Sequence, residues 1–182
     1  MLMKKVVIVI NGSGGVGKDT LCHMAEKEYR VKNISSITPI KELAAACGWK
    51  GEKTDRARRF LSDLKLLTVR YNDFPTNWVI GEYEKFLRSD EEIMFVHIRE
   101  GAEIRKFVER TNGRAVTLLI RGGERFAMRR RHGYGNRSDD EVERYHYDYY
   151  FVNDKPLHET PPAFLAFMEK ILSERGEEIK EG

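Results

Sequence analysis

The stretch "VVIVINGSGGVGKDT", residues 6–20, decides the fold. Its first five residues are β-branched without a break, which suits a strand buried on both faces of a parallel sheet. After the glycines, Leu21, Met24, Ala25 and Tyr29 recur at helical spacing. Gly12-x-x-x-x-Gly17-Lys18 therefore stands between a strand and a helix, the context that the Walker A pattern requires. Gly12, Gly14, Gly15 and Gly17, with Ser13 and Val16 between them, let the backbone wrap a phosphate with its N–H groups inward. The helix N-terminus adds partial positive charge, and Lys18 is the predicted catalytic cation on the β- and γ-phosphates.

The end of the loop is unusual. A standard P-loop follows its lysine directly with Ser or Thr for Mg²⁺, whereas here Asp19 precedes Thr20. Asp19 reads either as a helix N-terminal acid, worth about 0.3–1 kcal/mol against the macrodipole, or as a carboxylate facing a metal. This "GKDT" ending resembles the nucleoside monophosphate kinases, in particular the deoxynucleoside monophosphate kinases of phage and bacterial type, and also the animal-type phosphomevalonate kinases. The resemblance extends through "TPIKELA", "RARRFLSDLK", "FVHIREGAEI" and "DYYFVND", which together span most of the chain. It implies a P-loop NTPase fold, ATP and Mg²⁺ as cofactors, Thr20 on the α-phosphate, and Asp19 with Thr20 on the metal side.

The rest of the chain is consistent with one α/β domain over residues 1–182. Strand candidates "VKNISSI", "EEIMFVHI", "AVTLLI" and "DYYFVND" alternate with helical patterns opened by Pro39, Thr54, Pro75, Gly101 and Thr160. A doubly wound α/β/α architecture follows, with a five-stranded parallel sheet and helices on both faces. Ligands in such sheets bind at the carboxyl ends of the strands. Ala57, Phe60, Leu61, Leu64 and Leu67 mark the apolar face of a long helix from Thr54 to Tyr71, and Arg56, Arg59, Asp63 and Arg70 share another face. The tail "RGEEIKEG" reads as unstructured.

Composition excludes several classes. Charged residues make up 34% and hydrophobic ones 41% of 182 residues, and the apolar runs are too short to span a bilayer. No small-residue cleavage site follows "MLMKK", so a cytoplasmic protein is expected. Cys22 and Cys47 each fall on an apolar helix side and read as reduced, buried thiols. The net charge of +3 hides clusters of arginine at 56–59 and 125–137. Without a known nucleic-acid motif among them, these read as anion sites and no nucleic-acid partner is expected. Homodimerisation is compatible with the sequence.

In the resembling families the region corresponding to residues 38–88 and the third strand's end form the acceptor pocket. Lys41, Arg58, Arg59, Arg70 and Arg99 are thus candidates for an acceptor phosphate, whose oxygens the guanidinium fork matches in pairs. The competing reading of Arg59 is a solvated face paired i,i+4 with Asp63. Trp78, with Tyr71 and Phe74, is a candidate for stacking on a base, and equally a core residue. His97 stands where related kinases often place an aspartate, and reads either as a hydrogen-bonded strand end or as a catalytic group. Glu100 and Glu103 are candidates for the acceptor's base or sugar, Glu103 equally for an exposed helix acid. Residues 121–140 fit a lid: Arg125 and Arg129, spaced i,i+4, would close over the triphosphate and stabilise transferring charge, with Arg125 also stacking on adenine. Ser138 and Glu141 form a capping box there. The "VNDKP" loop, with Asn153 and Lys155, would complete the adenine pocket.

The expected function is an ATP- and Mg²⁺-dependent kinase acting on a phosphorylated small molecule, a nucleoside or deoxynucleoside monophosphate. Phosphomevalonate is the alternative acceptor, and a non-catalytic nucleotide-binding switch or a nucleic-acid kinase the alternatives of other classes. For a hydroxyl acceptor, Asp63 is the candidate base.

Overall fold

The computed structural model describes residues 3–123, 142–156 and 158–179. The chain runs β1 (Met3–Asn11), α1 (Lys18–Ala25), β2 (Val31–Ser35), α2 (Thr38–Ala46), α3 (Asp55–Asn72), α4 (Phe74–Leu87), β3 (Ile93–His97) and α5 (Gly101–Arg110), then β4 (Val116–Gly122), β5 (Tyr149–Asn153), α6 (Thr160–Arg175) and β6 (Glu177–Ile179). Five strands lie parallel in the order β2-β3-β1-β4-β5, so the strand that leads into the glycine loop is central.

Its unbroken β-branched run is explained by this position. Val6, Ile8 and Ile10 face α1 and α6 with Leu21, Cys22, Phe164 and Met168, while Val7 and Val9 face α4 and α5 with Val79, Phe86, Ile104 and Phe107. Both faces of β1 are covered, so period-2 alternation vanishes from the sequence while it persists in space. Fully burying one such side chain stabilises the fold by about 1.5–3 kcal/mol. Lys5 is the polar exception in this run: its buried Nζ donates to the carbonyls of Phe86, Ser89 and Glu91, capping the C-terminus of α4.

Three expectations are corrected. The tail is not wholly unstructured, since Glu177–Ile179 pairs antiparallel with Met3–Lys5 of β1, where β1 extends beyond its pairing with β4. Cys47 ends α2 in an exposed position, while Cys22 is buried as expected. The apolar face of α3 is not a core face: only Ala57 of its 18 residues is buried. That helix packs on α2 and α4 rather than on the sheet, so helical periodicity is satisfied but little of it is covered. The capping box Ser138–Glu141, Arg125, Arg129 and most of the expected lid lie outside the described residues. No helix among the described residues is long and apolar enough to cross a membrane.

Candidate active site

Two glycines of the loop between β1 and α1 sit where an added side chain would meet a neighbouring strand. At Gly12 (φ 153°) a Cβ would lie 2.5 Å from the Ile120 carbonyl oxygen at the end of β4. At Gly17 (φ 91°) it would lie 2.7 Å from Asn153 Nδ2 at the end of β5. The loop is thus held against two neighbouring strand ends, and Asn153 Nδ2 also donates to the Val16 carbonyl at 2.9 Å. Lys18 folds back over its own loop, with Nζ donating to the Gly12 carbonyl at 2.6 Å and to that of Ser13 at 3.2 Å. Asp19 and Thr20 are exposed in the first turn of α1. Hard oxygen donors in that setting fit Mg²⁺ held jointly with nucleotide phosphates. Lys155 is exposed beyond the end of β5.

Asn11, which sequence reasoning passed over, organises the base of the loop. Its Oδ1 accepts from Gly12 N–H at 2.8 Å, and its Nδ2 donates to the Arg99 carbonyl at 3.1 Å and to the Tyr147 hydroxyl at 2.9 Å. Tyr147 in turn donates to the Val142 carbonyl at 3.0 Å, and burial pushes its hydroxyl up to about 12, so it stays protonated. One buried amide therefore joins the ends of β1 and β3 to the segment entering β5. The signal was present in the sequence as a polar residue closing an apolar strand immediately before the first glycine.

A cavity of about 440 Å³ opens beside the loop at the carboxyl ends of β1, β2 and β3. The central strand and its loop contribute Ile10, Asn11, Gly12 and Lys18; the end of β2 adds Ser35, Ser36 and Ile37. Arg58, Leu61, Ser62 and Lys65 come from α3, and His97, Ile98, Arg99 and Glu100 from the end of β3. Of the proposed acceptor residues, Arg58 and Arg99 are brought together here. Lys41, Arg59, Arg70 and Trp78 are not among the lining residues, and Trp78 packs on the core between α4 and the sheet.

His97 Nε2 donates to Asn33 Oδ1 at 2.8 Å and lies 3.8 Å from Cys22 Sγ, linking β3 to β2 and α1. Burial holds its pKa below the usual value, so the ring is neutral near pH 7. Lys65 was also missed, although Arg58, Leu61, Ser62 and Lys65 share one helix face. Its Nζ lies 2.7 Å from Glu100 Oε2 and 3.1 Å from Glu103 Oε2. Burial opposes ionisation of Glu100, but the hydrogen bond and charge of Lys65 prevail and hold it below its usual value. Burial raises Glu103, which is a buried acid rather than an exposed one, and the Glu100 charge adds to the effect. Two carboxylates sharing one lysine leave a negative edge beside the two arginines.

No protein-family model matches the chain, and no curated protein matches it. Solved structures do share its fold. The tunicamycin resistance protein of Deinococcus radiodurans has a TM-score of 0.56 at 11% identity, covering 90% of this chain and 95% of its own. A shikimate kinase from Bacteroides thetaiotaomicron scores 0.51 at 17% identity, covering 92% and 98%. A gluconokinase from Sinorhizobium meliloti scores 0.50 at 17% identity, covering 96% and 97%. The chain has the α/β fold of these three proteins, two of them small-molecule kinases, over nearly its full length and theirs.

Proposed function

We propose that this protein is an ATP-dependent kinase that transfers the γ-phosphoryl group to a small phosphorylated acceptor, a nucleoside or deoxynucleoside monophosphate. The observation that carries the reading is the cavity of about 440 Å³, which Gly12 and Lys18 of the phosphate loop share with Arg58 and Arg99. Two polyanions must meet for such a transfer, and cations on both sides of one cavity supply the compensating charge. The loop N–H groups and Lys18 would hold and orient the donor's phosphates; Arg58 and Arg99 would hold the acceptor's. An acceptor phosphate is ionised near pH 7, so in-line positioning and charge stabilisation suffice without a general base. Arg125 and Arg129 are proposed to stabilise the transferring group, and Lys41, Arg59 and Arg70 are left without a role at the cavity. Mg²⁺ on the Asp19 and Thr20 side would neutralise phosphate charge.

A second reading, a phosphomevalonate-like acceptor, is favoured by one observation. Among the described residues the cavity lining holds no Phe, Tyr or Trp to stack on a base, while Ile37, Leu61 and Ile98 offer an aliphatic wall. Turnover with ATP and Mg²⁺ across the ribo- and deoxynucleoside monophosphates, phosphomevalonate, gluconate and shikimate separates the readings. Transfer only to unphosphorylated hydroxyl acceptors overturns the phosphate-acceptor reading, and transfer to none of them overturns the kinase.

A further inference from the structure

Helix α3 carries an apolar seam that its own chain does not cover. Phe60, Leu64, Leu67 and Tyr71 recur at intervals of four, three and four, the a/d spacing of a coiled coil. They occupy a narrow arc of the helix. Leu67 is 63% exposed and Tyr71 88%, Phe60 is exposed and Leu64 half-buried. An amphipathic helix that faced its own core would show the reverse.

The spacing is symmetric about a point between Lys65 and Leu66. An antiparallel copy of α3 related by a two-fold axis through that point sets Phe60 against the partner's Tyr71 and Leu64 against the partner's Leu67, and each contact occurs twice. The flanking charges obey the same symmetry. Asp63 and Arg70 both border the seam on the side that meets its own equivalent in an antiparallel pair. With a rise of about 1.5 Å per residue, Asp63 and the partner's Arg70 fall roughly 3 Å apart along the axis, within ion-pair reach. Neither residue forms a salt bridge with a described residue in its own chain.

We propose that α3 is the homodimerisation surface of this protein, pairing antiparallel with α3 of a second copy through the Phe60–Leu64–Leu67–Tyr71 seam and two Asp63–Arg70 ion pairs. The pairing has a consequence for the cavity. The opposite side of α3 contributes Arg58, Leu61, Ser62 and Lys65 to its wall, yet the helix buries only Ala57 in its own chain. A second copy would supply the packing that holds this wall still.

Sedimentation velocity over a wide concentration range tests the proposal independently of any activity, with circular dichroism as the folding control. The wild type should approach twice the 21.2 kDa chain mass. Leu67→Glu, at an exposed position, should remain monomeric with unchanged helix content. Asp63→Arg should weaken the dimer by about tenfold or more, because both ion pairs become repulsive. The exchange Asp63→Arg with Arg70→Asp should bring the affinity back to within about threefold of wild type. A monomeric wild type, or a dimer indifferent to Leu67→Glu, overturns the surface. A charge reversal without effect, or one that the exchange does not rescue, overturns the antiparallel register.

Discussion

Replacing Asn11 by leucine keeps the volume and removes the buried amide that joins three segments. Three hydrogen bonds are lost, those with Gly12 N–H, the Arg99 carbonyl and the Tyr147 hydroxyl. Each contributes about 0.5–1.5 kcal/mol net, and a buried N–H left without a partner costs a further 1–3 kcal/mol. Asn11 is 3% exposed, so water gives little relief. Some relaxation is expected around the hydroxyl of Tyr147, which keeps its bond to Val142. The expected loss is about 3 kcal/mol, which for a chain of this size lowers Tm by roughly 6–12 °C. Urea denaturation and calorimetry of Asn11→Leu, Tyr147→Phe and the double variant measure it. Because the two side chains share a bond, the double variant should be less destabilised than the sum by about 1 kcal/mol. A cost for Asn11→Leu below about 1 kcal/mol, or strict additivity in the cycle, would falsify the network.

Lys65→Met leaves Glu100 and Glu103 facing each other without their cation, and should cost about 2–3 kcal/mol at pH 7, below the full value for a buried pair because Glu100 is partly solvated. The sign of its pH dependence follows from the shifts. Glu100, held low by Lys65, contributes stability that is present above its unfolded pKa and lost as pH falls through the folded one, while Glu103, raised by burial, is favoured protonated and opposes stability as pH rises through its folded pKa. The Lys65→Met penalty in urea titrations should therefore shrink on acidification, and an equal penalty at pH 5 and pH 7 contradicts the shared-lysine arrangement. Cys22 is buried with its thiol pushed up to about 12, whereas Cys47 is exposed, so a disulfide reagent should titrate one thiol in the native protein and two in denaturant. Gly12→Ala drives a Cβ into the Ile120 carbonyl and should weaken ATP binding by about a hundredfold or more, while Gly14→Ala meets open space and should stay within about threefold by calorimetry. Equal effects of the two alanines would show that the loop is not held as described.

The glycine loop and the central strand were legible because both faces of β1 and the approach of the strand ends impose residue types that little else explains. Helix positions were legible for the same local reason, down to Thr54, whose hydroxyl caps α3 by accepting from Ala57 N–H at 3.2 Å. What local pattern does not carry is what covers a face. The apolar stripe of α3 marked a helix correctly, but its burial depends on α2 and α4 lying to one side of it. Strand β6 was invisible because Glu177–Ile179 has no strand composition of its own and exists by pairing with the open start of β1. At the cavity, strand ends pointed to His97 and Arg99, and the arginine-rich helix to Arg58. Lys65 and Asn11 escaped because each acts through partners distant in sequence, Glu100 and Glu103 for one, Arg99 and Tyr147 for the other.

The pairing of β6 with β1 also sets how the fold responds to force. Met3 lies opposite Ile179 and Lys5 opposite Glu177, so the outer ends of both strands sit at the same end of the ladder. A load drawn between Met3 and Ile179 opens this ladder one rung at a time, as a zipper, instead of shearing all its hydrogen bonds together. Val6, whose N–H donates to the Glu92 carbonyl at 2.9 Å and which begins the parallel register with Ile93, is where peeling stops and shear begins. The glycine loop at the far end of β1 is thereby mechanically insulated from a load on Met3 and Ile179 by a weak link that yields first.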